Sequence, residues 1–295
     1  MRFRHTLSLI ALMWLMTLPL SAQTTEIQTL LDQPYVNQPD ARQVLDIYLP
    51  ASGTPAPYPT IFMVHGGGFY TGDKEELRQV AERYADMGYA VVAPNYRLAP
   101  QVTFPDAHGD AFCALAWTFA QAEQYQLDLT RLTLLGESAG GNIVAYLGAV
   151  DDPADYLRDC DTAYPDDPQF QAVISLYMPV DLLTCECSLA RRMASLYTGI
   201  SYFDWLDQSA IQQYMDISVI TSLDAEDPPF YLLHGDRDFL VPVSESQFFA
   251  DAYRSVGGQV ELVVLEGANH GFLNFPSSFR DASYELLDDW LDVRS

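Results

Sequence analysis

Residues 132–148 read LTLLGESAGGNIVAYLG, an apolar run that passes through the motif GESAG (136–140) into a helical pattern. The run is typical of a buried strand, and the residues after Ser138 have the spacing of an apolar helix. A sharp strand-to-helix turn needs small neighbours around its central residue, which Gly136 and Gly140 provide. Such a turn would present the Ser138 hydroxyl at a helix N-terminus, where the dipole favours negative charge. We therefore predict that Ser138 is a nucleophile.

Apolar and amphipathic stretches alternate along the rest of the chain. Strands are predicted at 44–50, 60–66, 89–96, 131–137, 171–179, 229–235 and 259–267, and helices at 74–88, 104–126, 138–150, 244–257 and 277–293. Several of the strands are continuously apolar, as strands covered on both faces are. With 295 residues, 49% of them hydrophobic, the chain has enough apolar surface for one large core. The pattern predicts an α/β domain over 23–295, with a mostly parallel central sheet flanked by helices.

Residues 181–227 interrupt this alternation and predict a helical cap insertion over one edge of the sheet. The segment is rich in aromatic residues, namely Tyr197, Tyr202, Phe203, Trp205 and Tyr214. These side chains either form a small core of their own or wall a pocket, and the sequence leaves both open.

The N-terminus has the organisation of a signal peptide. Arg2 and Arg4 precede the apolar run TLSLIALMWLMTLPL (6–20), and small residues then lead to a cleavage site after Ala22. A membrane anchor is the alternative, but the run is shorter than the roughly 20 residues that a bilayer needs. We predict a signal peptide over 1–22 and a secreted or periplasmic protein.

Four cysteines follow the predicted cleavage site: Cys113, Cys160, Cys185 and Cys187. Cys113 lies in an apolar helical pattern and is predicted to be a buried thiol. Cys160 is predicted to form a disulfide with Cys185 or Cys187, which are too close to bridge each other. We predict no metal site, because no histidine lies near the latter pair.

The formal net charge of −25 constrains the partners of the protein, and Lys74 is its only lysine. Such a surface repels nucleic acid and anionic membranes and favours neutral or cationic substrates. We predict no nucleic-acid partner and no stable membrane insertion of the mature chain.

The stretch MVHGGGFY (63–70) places three glycines after a predicted strand. Glycines are costly in an ordinary loop, but they allow backbone N–H groups to approach a substrate oxygen. The loop therefore predicts an oxyanion hole. A flexible turn and a phosphate-binding loop are the alternatives; the latter lacks the GxGxxG spacing and a following Lys-Ser/Thr pair.

A serine nucleophile needs a base, and the chain has five histidines: His5, His65, His108, His234 and His270. His5 lies in the signal peptide, His65 belongs to the glycine loop, and His108 and His234 are predicted to be structural. In this type of sheet the partners follow in the order serine, acid, histidine. His270 is the histidine that leaves room for an acid after Ser138, so we predict that it is the base.

The acid is predicted within HGDRDFLVP (234–242), which contains two aspartates after an apolar strand. Asp236 and Asp238 are two residues apart, and residues at that spacing face the same way on a strand. The pattern alone does not choose between them.

Together the motifs HGGGF, NYRLAP, FPDA, GESAGGN, DPPFYLLHGDRDFLVP and GANHGF resemble the esterase/lipase branch of the α/β-hydrolase fold, which includes hormone-sensitive-lipase-like enzymes and secreted carbohydrate-ester esterases. The resemblance covers roughly residues 40–275. It implies Asp238 as the acid beside Ser138 and His270, with Asp236 as a turn residue and Arg237 as a solvated charge. It also implies that Gly67, Gly68 and the N–H of Ala139 form the oxyanion hole. Gln101 departs from the family, which often has glutamate there.

The resemblance predicts a secreted serine carboxylesterase that acts on small, neutral, short-to-medium carboxylic esters through an acyl-enzyme, without a cofactor. An amidase or arylformamidase with the same three residues is the nearest alternative. A non-catalytic binding protein of the same fold is a further one.

Overall fold

The computed structural model of the protein describes residues 26–180, 192, 195–199, 218–273 and 277–292. The predicted signal peptide and most of the predicted cap, including Cys185 and Cys187, lie outside the described residues.

The described chain forms one sheet of eight strands in the order β1-β2-β4-β3-β5-β6-β7-β8. The strands are β1 Gln28–Pro34, β2 Val44–Leu49, β3 Tyr58–Val64, β4 Ala90–Pro94, β5 Leu127–Glu137, β6 Ala172–Leu176, β7 Phe230–Gly235 and β8 Val260–Leu265. Strand β2 pairs antiparallel with β1 and β4, and all the other pairs are parallel. The predicted mostly parallel sheet is confirmed, and its seven predicted strands are β2 to β8.

Strand β1 was not predicted from the sequence. It is an edge strand whose residues are exposed or only half-buried, so it lacks the apolar run that marks the other strands. Lys74 links it to the next strand, because its ammonium group bonds Asp32 of β1 and Asp46 of β2, each at 2.8 Å. Lys74 itself is 5% exposed. Burial alone would lower the pKa of this lysine, but the two carboxylates outweigh burial and raise it.

The helices follow the predicted stretches closely. They are α1 Arg78–Asp86, α2 Asp106–Ala120, α3 Ala122–Tyr125, α4 Ala139–Ala149, α5 Ser244–Ser255 and α6 Ser278–Asp292. Short 3-10 turns occur at Lys74–Leu77 and Val219–Ser222. Within the described ranges, no helix combines the length and apolar character that crossing a bilayer requires.

Helices cover both faces of the sheet, and the two-residue period of the strands divides the core between them. On β3, Phe62 faces the layer that contains α2, α4 and α5. Its neighbours Ile61 and Met63 face the layer that contains α1 and α6. Because both layers are buried, the central strands read as continuous apolar runs in the sequence.

Cys113 and Cys160 form a disulfide, with their Cα atoms 5.0 Å apart. Both predictions for these residues were therefore wrong: Cys113 is not a free thiol, and Cys160 is not paired with Cys185 or Cys187. The reason is that the segment after α4 folds back over α2, where Tyr156 packs on Phe112. Gly109 permits this close approach, because a Cβ there would lie 2.7 Å from the Tyr156 carbonyl oxygen.

Removing this disulfide should destabilise the fold without changing the site. It closes a sequence separation of 47 residues, so the chain-entropy model gives about 4 kcal/mol for its loss. We expect a Cys113→Ala/Cys160→Ala variant to unfold at a markedly lower urea concentration than the wild type. Unfolding followed by circular dichroism measures the difference, and coincident midpoints would contradict the structural role of the bridge.

Candidate active site

Ser138 lies between the end of β5 and the start of α4 in a strained backbone conformation, with φ 50° and ψ −120°. The two glycines of the motif make this turn possible. A Cβ on Gly136 would lie 2.2 Å from the Gly140 carbonyl oxygen, and a Cβ on Gly140 would lie 2.2 Å from that of Val64. Any larger residue at either position would push α4 away from the sheet.

The structure brings Ser138, His270 and Asp238 into one hydrogen-bonded line. His270 Nε2 lies 2.9 Å from Ser138 Oγ, and His270 Nδ1 lies 2.6 Å from Asp238 Oδ2. The three residues follow β5, β8 and β7 respectively. Because these strands are parallel, their carboxyl ends meet at one edge of the sheet and bring the loops together.

Asp238 is 8% exposed and is held by backbone donors as well as by His270. Its Oδ1 accepts hydrogen bonds from the N–H groups of Leu240 at 2.9 Å and Val241 at 2.8 Å. Burial alone would raise the pKa of Asp238, but hydrogen bonds from His234 and His270 and from the Val241 N–H outweigh it and hold the pKa well below its ordinary value. The carboxylate therefore stays ionised and fixed in orientation.

Asp236 points away from this line. It is exposed, and its Oδ1 accepts a hydrogen bond of 2.6 Å from the Gly267 N–H. This contact ties the loop after β7 to the loop that carries His270. Arg237 is exposed, as predicted for a solvated charge.

Two further residues support His270 that sequence reasoning missed. The Tyr177 ring packs edge-on against the His270 ring, with centroids 4.8 Å apart. The Tyr177 hydroxyl donates to Glu137 Oε2 at 2.5 Å, and burial raises the pKa of this tyrosine well above its ordinary value. Glu137 lies inside the GESAG motif, but the sequence does not indicate that the residue after β6 would reach it.

The glycine loop lies directly against the serine turn. A Cβ on Gly66 would be 3.2 Å from Ser138 Cβ, and Gly67 and Gly68 both have positive φ, at 117° and 61°. Ala139 opens α4 on the other side of Ser138. The predicted oxyanion residues Gly67, Gly68 and Ala139 thus flank Ser138 on two backbone segments.

Arg42, which is half-buried, and the buried His65 hold the glycine loop in place. Arg42 Nη2 donates to the Gly72 carbonyl at 2.8 Å, and His65 Nδ1 lies 2.7 Å from the Gly66 carbonyl oxygen. The carbonyl can only accept, so His65 Nδ1 carries the proton. Burial lowers the pKa of His65 to about 4.

His108 is a buried packing residue between the cap and α4. Its Nε2 lies 3.1 Å from Asn142 Oδ1, and its Nδ1 lies 2.6 Å from the Tyr197 hydroxyl. Tyr197 also stacks on Phe69, with ring centroids 4.3 Å apart. This cap aromatic belongs to the core; the other aromatics of the cap lie outside the described residues.

Among the described residues, one group of carboxylates has oxygens close enough together to ligate a cation. It consists of Asp151, Asp224 and Asp227, whose oxygens lie within 4.8 Å of one another. The group precedes β7 and follows α4, at the opposite end of the sheet from Ser138, so it takes no part in the site.

The chain is similar to several proteins that are named as esterases or ester hydrolases. A family model described as BD-FAE matches residues 45–253. A probable carboxylic ester hydrolase, LipM of Mycobacterium tuberculosis, is 30% identical over 216 residues, covering 72% of this chain and 49% of the relative. The ethyl acetate hydrolase of Pseudomonas putida is 28% identical over 254 residues, covering 82% and 74%.

The fold comparison agrees with these matches. The structure of Thermogutta terrifontis esterase 2 phosphonylated by cyclosarin superposes with a TM-score of 0.70 at 26% identity, covering 90% of this chain and 93% of that one. The predicted α/β-hydrolase fold is confirmed. The chain spans about half the length of the first curated relative, 49% of LipM.

The buried histidines make the stability of the protein sensitive to acid. Burial lowers the pKa of His108 to about 4, so between about pH 6.5 and pH 4 the unfolded chain binds a proton that the folded chain does not. The contribution to stability is present above pH 6.5 and is lost as the pH falls through this window. The free energy of unfolding of the wild type should fall between pH 7 and pH 5. In a His108→Gln variant it should fall by about 2 kcal/mol less over the same range.

Urea unfolding at the two pH values measures this difference directly. The comparison uses each variant's own loss between pH 7 and pH 5, so a change in overall stability caused by the substitution does not affect it. Equal losses in the two proteins would contradict a buried, neutral His108.

Proposed function

The chain belongs to the BD-FAE family, and from that premise we propose that it is a secreted serine carboxylesterase that hydrolyses small, neutral, short-to-medium carboxylic esters. The observation that carries this proposal is the line Ser138–His270–Asp238, with contacts of 2.9 and 2.6 Å. A nucleophile, a base in contact with it, and an ionised group that orients the base are the parts that acyl transfer needs.

In the proposed reaction His270 Nε2 takes the proton of Ser138 as the serine oxygen attacks the ester carbonyl. The Asp238 carboxylate stabilises the imidazolium that forms and fixes Nδ1 as the protonated nitrogen. Collapse of the tetrahedral intermediate expels the alcohol as His270 returns the proton to it. Water then repeats the cycle on the acyl-serine, which releases the acid and restores Ser138.

The backbone N–H groups of Gly67, Gly68 and Ala139 are proposed to hold the negative oxygen of the intermediate. The left-handed φ angles of the two glycines and the position of Ala139 at the first residue of α4 support this role. Donors fixed before the reaction need no reorganisation when charge develops, which is why such groups contribute strongly to rate.

Charge and chemistry also support the proposed substrate class and location. A net charge of −25 disfavours anionic esters, and one relative is named for hydrolysis of ethyl acetate, a small neutral ester. The Cys113–Cys160 disulfide is typical of an oxidising compartment, which supports secretion or export to a periplasm.

Ser138→Ala should abolish ester hydrolysis while the protein stays folded, because the hydroxyl contributes little packing. We expect nitrophenyl acetate turnover to fall by about three orders of magnitude or more. The wild type should also take up one equivalent of a fluorophosphonate probe and the variant none, as measured by intact mass. Stoichiometric labelling of the variant would place the nucleophile elsewhere, and an unlabelled wild type would favour a binding protein.

The two aspartates of HGDRD form a matched pair of variants. Asp238→Asn removes the charge that stabilises the His270 imidazolium, so kcat should fall by about two to four orders of magnitude. Asp236→Asn keeps the oxygen that accepts from the Gly267 N–H, so kcat should stay within about twofold of the wild type. Steady-state kinetics on the same ester measures both, and the reverse order would move the acid to Asp236.

A further inference from the structure

We propose that His234 is a positioning residue for this reaction. Its Nε2–H bonds the Val241 carbonyl oxygen at 2.9 Å, and Nε2 also lies 3.3 Å from the carboxylate oxygen of Asp238 that His270 uses, where it would act as a second, longer donor. The inference rests on the function proposed above. It adds a second imidazole at the same oxygen of the acid that the base contacts.

The contacts of His234 are well defined. The residue is 0% exposed and lies at the end of β7. Its Nε2 is 2.9 Å from the Val241 carbonyl oxygen and 3.3 Å from Asp238 Oδ2, and its Nδ1 is 2.7 Å from Ser246 Oγ. Asp238 Oδ2 therefore lies between two imidazoles, at 2.6 Å from His270 Nδ1 and 3.3 Å from His234 Nε2.

The partners of His234 decide where its proton is. The Val241 carbonyl oxygen and the Asp238 carboxylate can only accept, so Nε2 carries a proton in every charge state of the ring. The hydroxyl of Ser246 contacts the other ring nitrogen, Nδ1, and can donate a hydrogen bond to it or accept one from it. The Ser246 side of the ring ties β7 to the first turn of α5, while the Nε2 side bonds the acid.

A shared oxygen has a chemical consequence for His270. A donor on Oδ2 withdraws part of the negative charge that would otherwise stabilise the His270 imidazolium. The Nε2–H of His234 therefore reduces the negative charge that Asp238 presents to the Nδ1–H of His270. The same contact also restrains the orientation of the Asp238 carboxylate, whose other oxygen accepts hydrogen bonds from the N–H groups of Leu240 and Val241.

The other groups around the two histidines are the same in every variant below. Ser138 and Tyr177, which bonds Glu137, contact His270. Asp236 and Arg237 are exposed on the loop after β7, and Glu245, beside Ser246 on α5, accepts a hydrogen bond from the Val180 N–H.

Two polar variants distinguish the contact that Nε2 makes with Asp238 from the contact that Nδ1 makes with Ser246. His234→Gln places an amide N–H near the position of Nε2, so it keeps a donor for Asp238. His234→Asn is shorter and reaches the Ser246 side only, so Asp238 loses this donor. Both leave a polar, uncharged side chain in the same buried place, and both are compared with the wild type by circular dichroism and urea unfolding.

The readout is the titration of the His270 ring, followed by ¹⁵N NMR in the resting protein. We expect the midpoint in His234→Asn to rise by about half a pH unit or more and the midpoint in His234→Gln to stay within about 0.2 of the wild type. The acid limb of kcat/KM should move with it, and kcat of the asparagine variant should fall about tenfold with KM within about twofold. Unchanged midpoints in both variants, or equal shifts in both, would overturn the proposal.

A measurement on the wild type covers the case in which the asparagine variant does not fold. The ¹⁵N spectrum of His234 should show a protonated Nε2 in slow exchange, and a ring protonated at Nδ1 alone would overturn the proposal. Both NMR readouts are independent of ester turnover. A wild type that hydrolyses no ester would therefore refute the proposed function, while the titrations still decide whether His234 shares Asp238.

Discussion

The left-handed backbone at Ser138 is the constraint on which the rest of the site depends. A non-glycine residue in this conformation costs of order 1–3 kcal/mol and persists only where its surroundings fix it. Here β5 and α4 meet so closely that Gly136 lies against the Gly140 carbonyl, and Gly140 lies against that of Val64 on β3. The Ser138 N–H is bonded to the Leu176 carbonyl of β6 at 2.9 Å. Three neighbouring strands thus hold the serine in place, and the sheet itself is the support of the nucleophile.

The second constraint is electrostatic and concerns Asp238. A carboxylate buried without donors would take up a proton, and it would then no longer stabilise a cationic histidine. Two backbone N–H groups and two imidazoles keep Asp238 ionised instead, and they come from its own loop, from the end of β7 and from the loop after β8. The orientation of the base therefore depends on the packing of three chain segments.

Local signals in the sequence predicted most of this arrangement. Apolar runs marked seven strands, and most of these strands are covered on both faces; the glycines marked the two turns where backbones approach closely. The missed features are long-range. Strand β1 has no apolar face to reveal it, and Cys160 meets Cys113 only because the segment after α4 folds over α2. Tyr177 and His234 act through contacts with Glu137 and Asp238 that no periodicity encodes, so they could be found only from coordinates.

Lys74 has a practical consequence for anyone who handles the protein. The sequence contains this one lysine, and it is held between Asp32 and Asp46 with its ammonium group almost wholly buried. Reagents that acylate, cross-link or couple lysine side chains therefore find no accessible target in the folded protein. A protease that cuts after lysine must likewise reach a side chain that is held between two carboxylates. The chain has 40 aspartates and glutamates, and the exposed ones are the chemical handles that the surface offers, so coupling to a support or a dye should begin from activated acids.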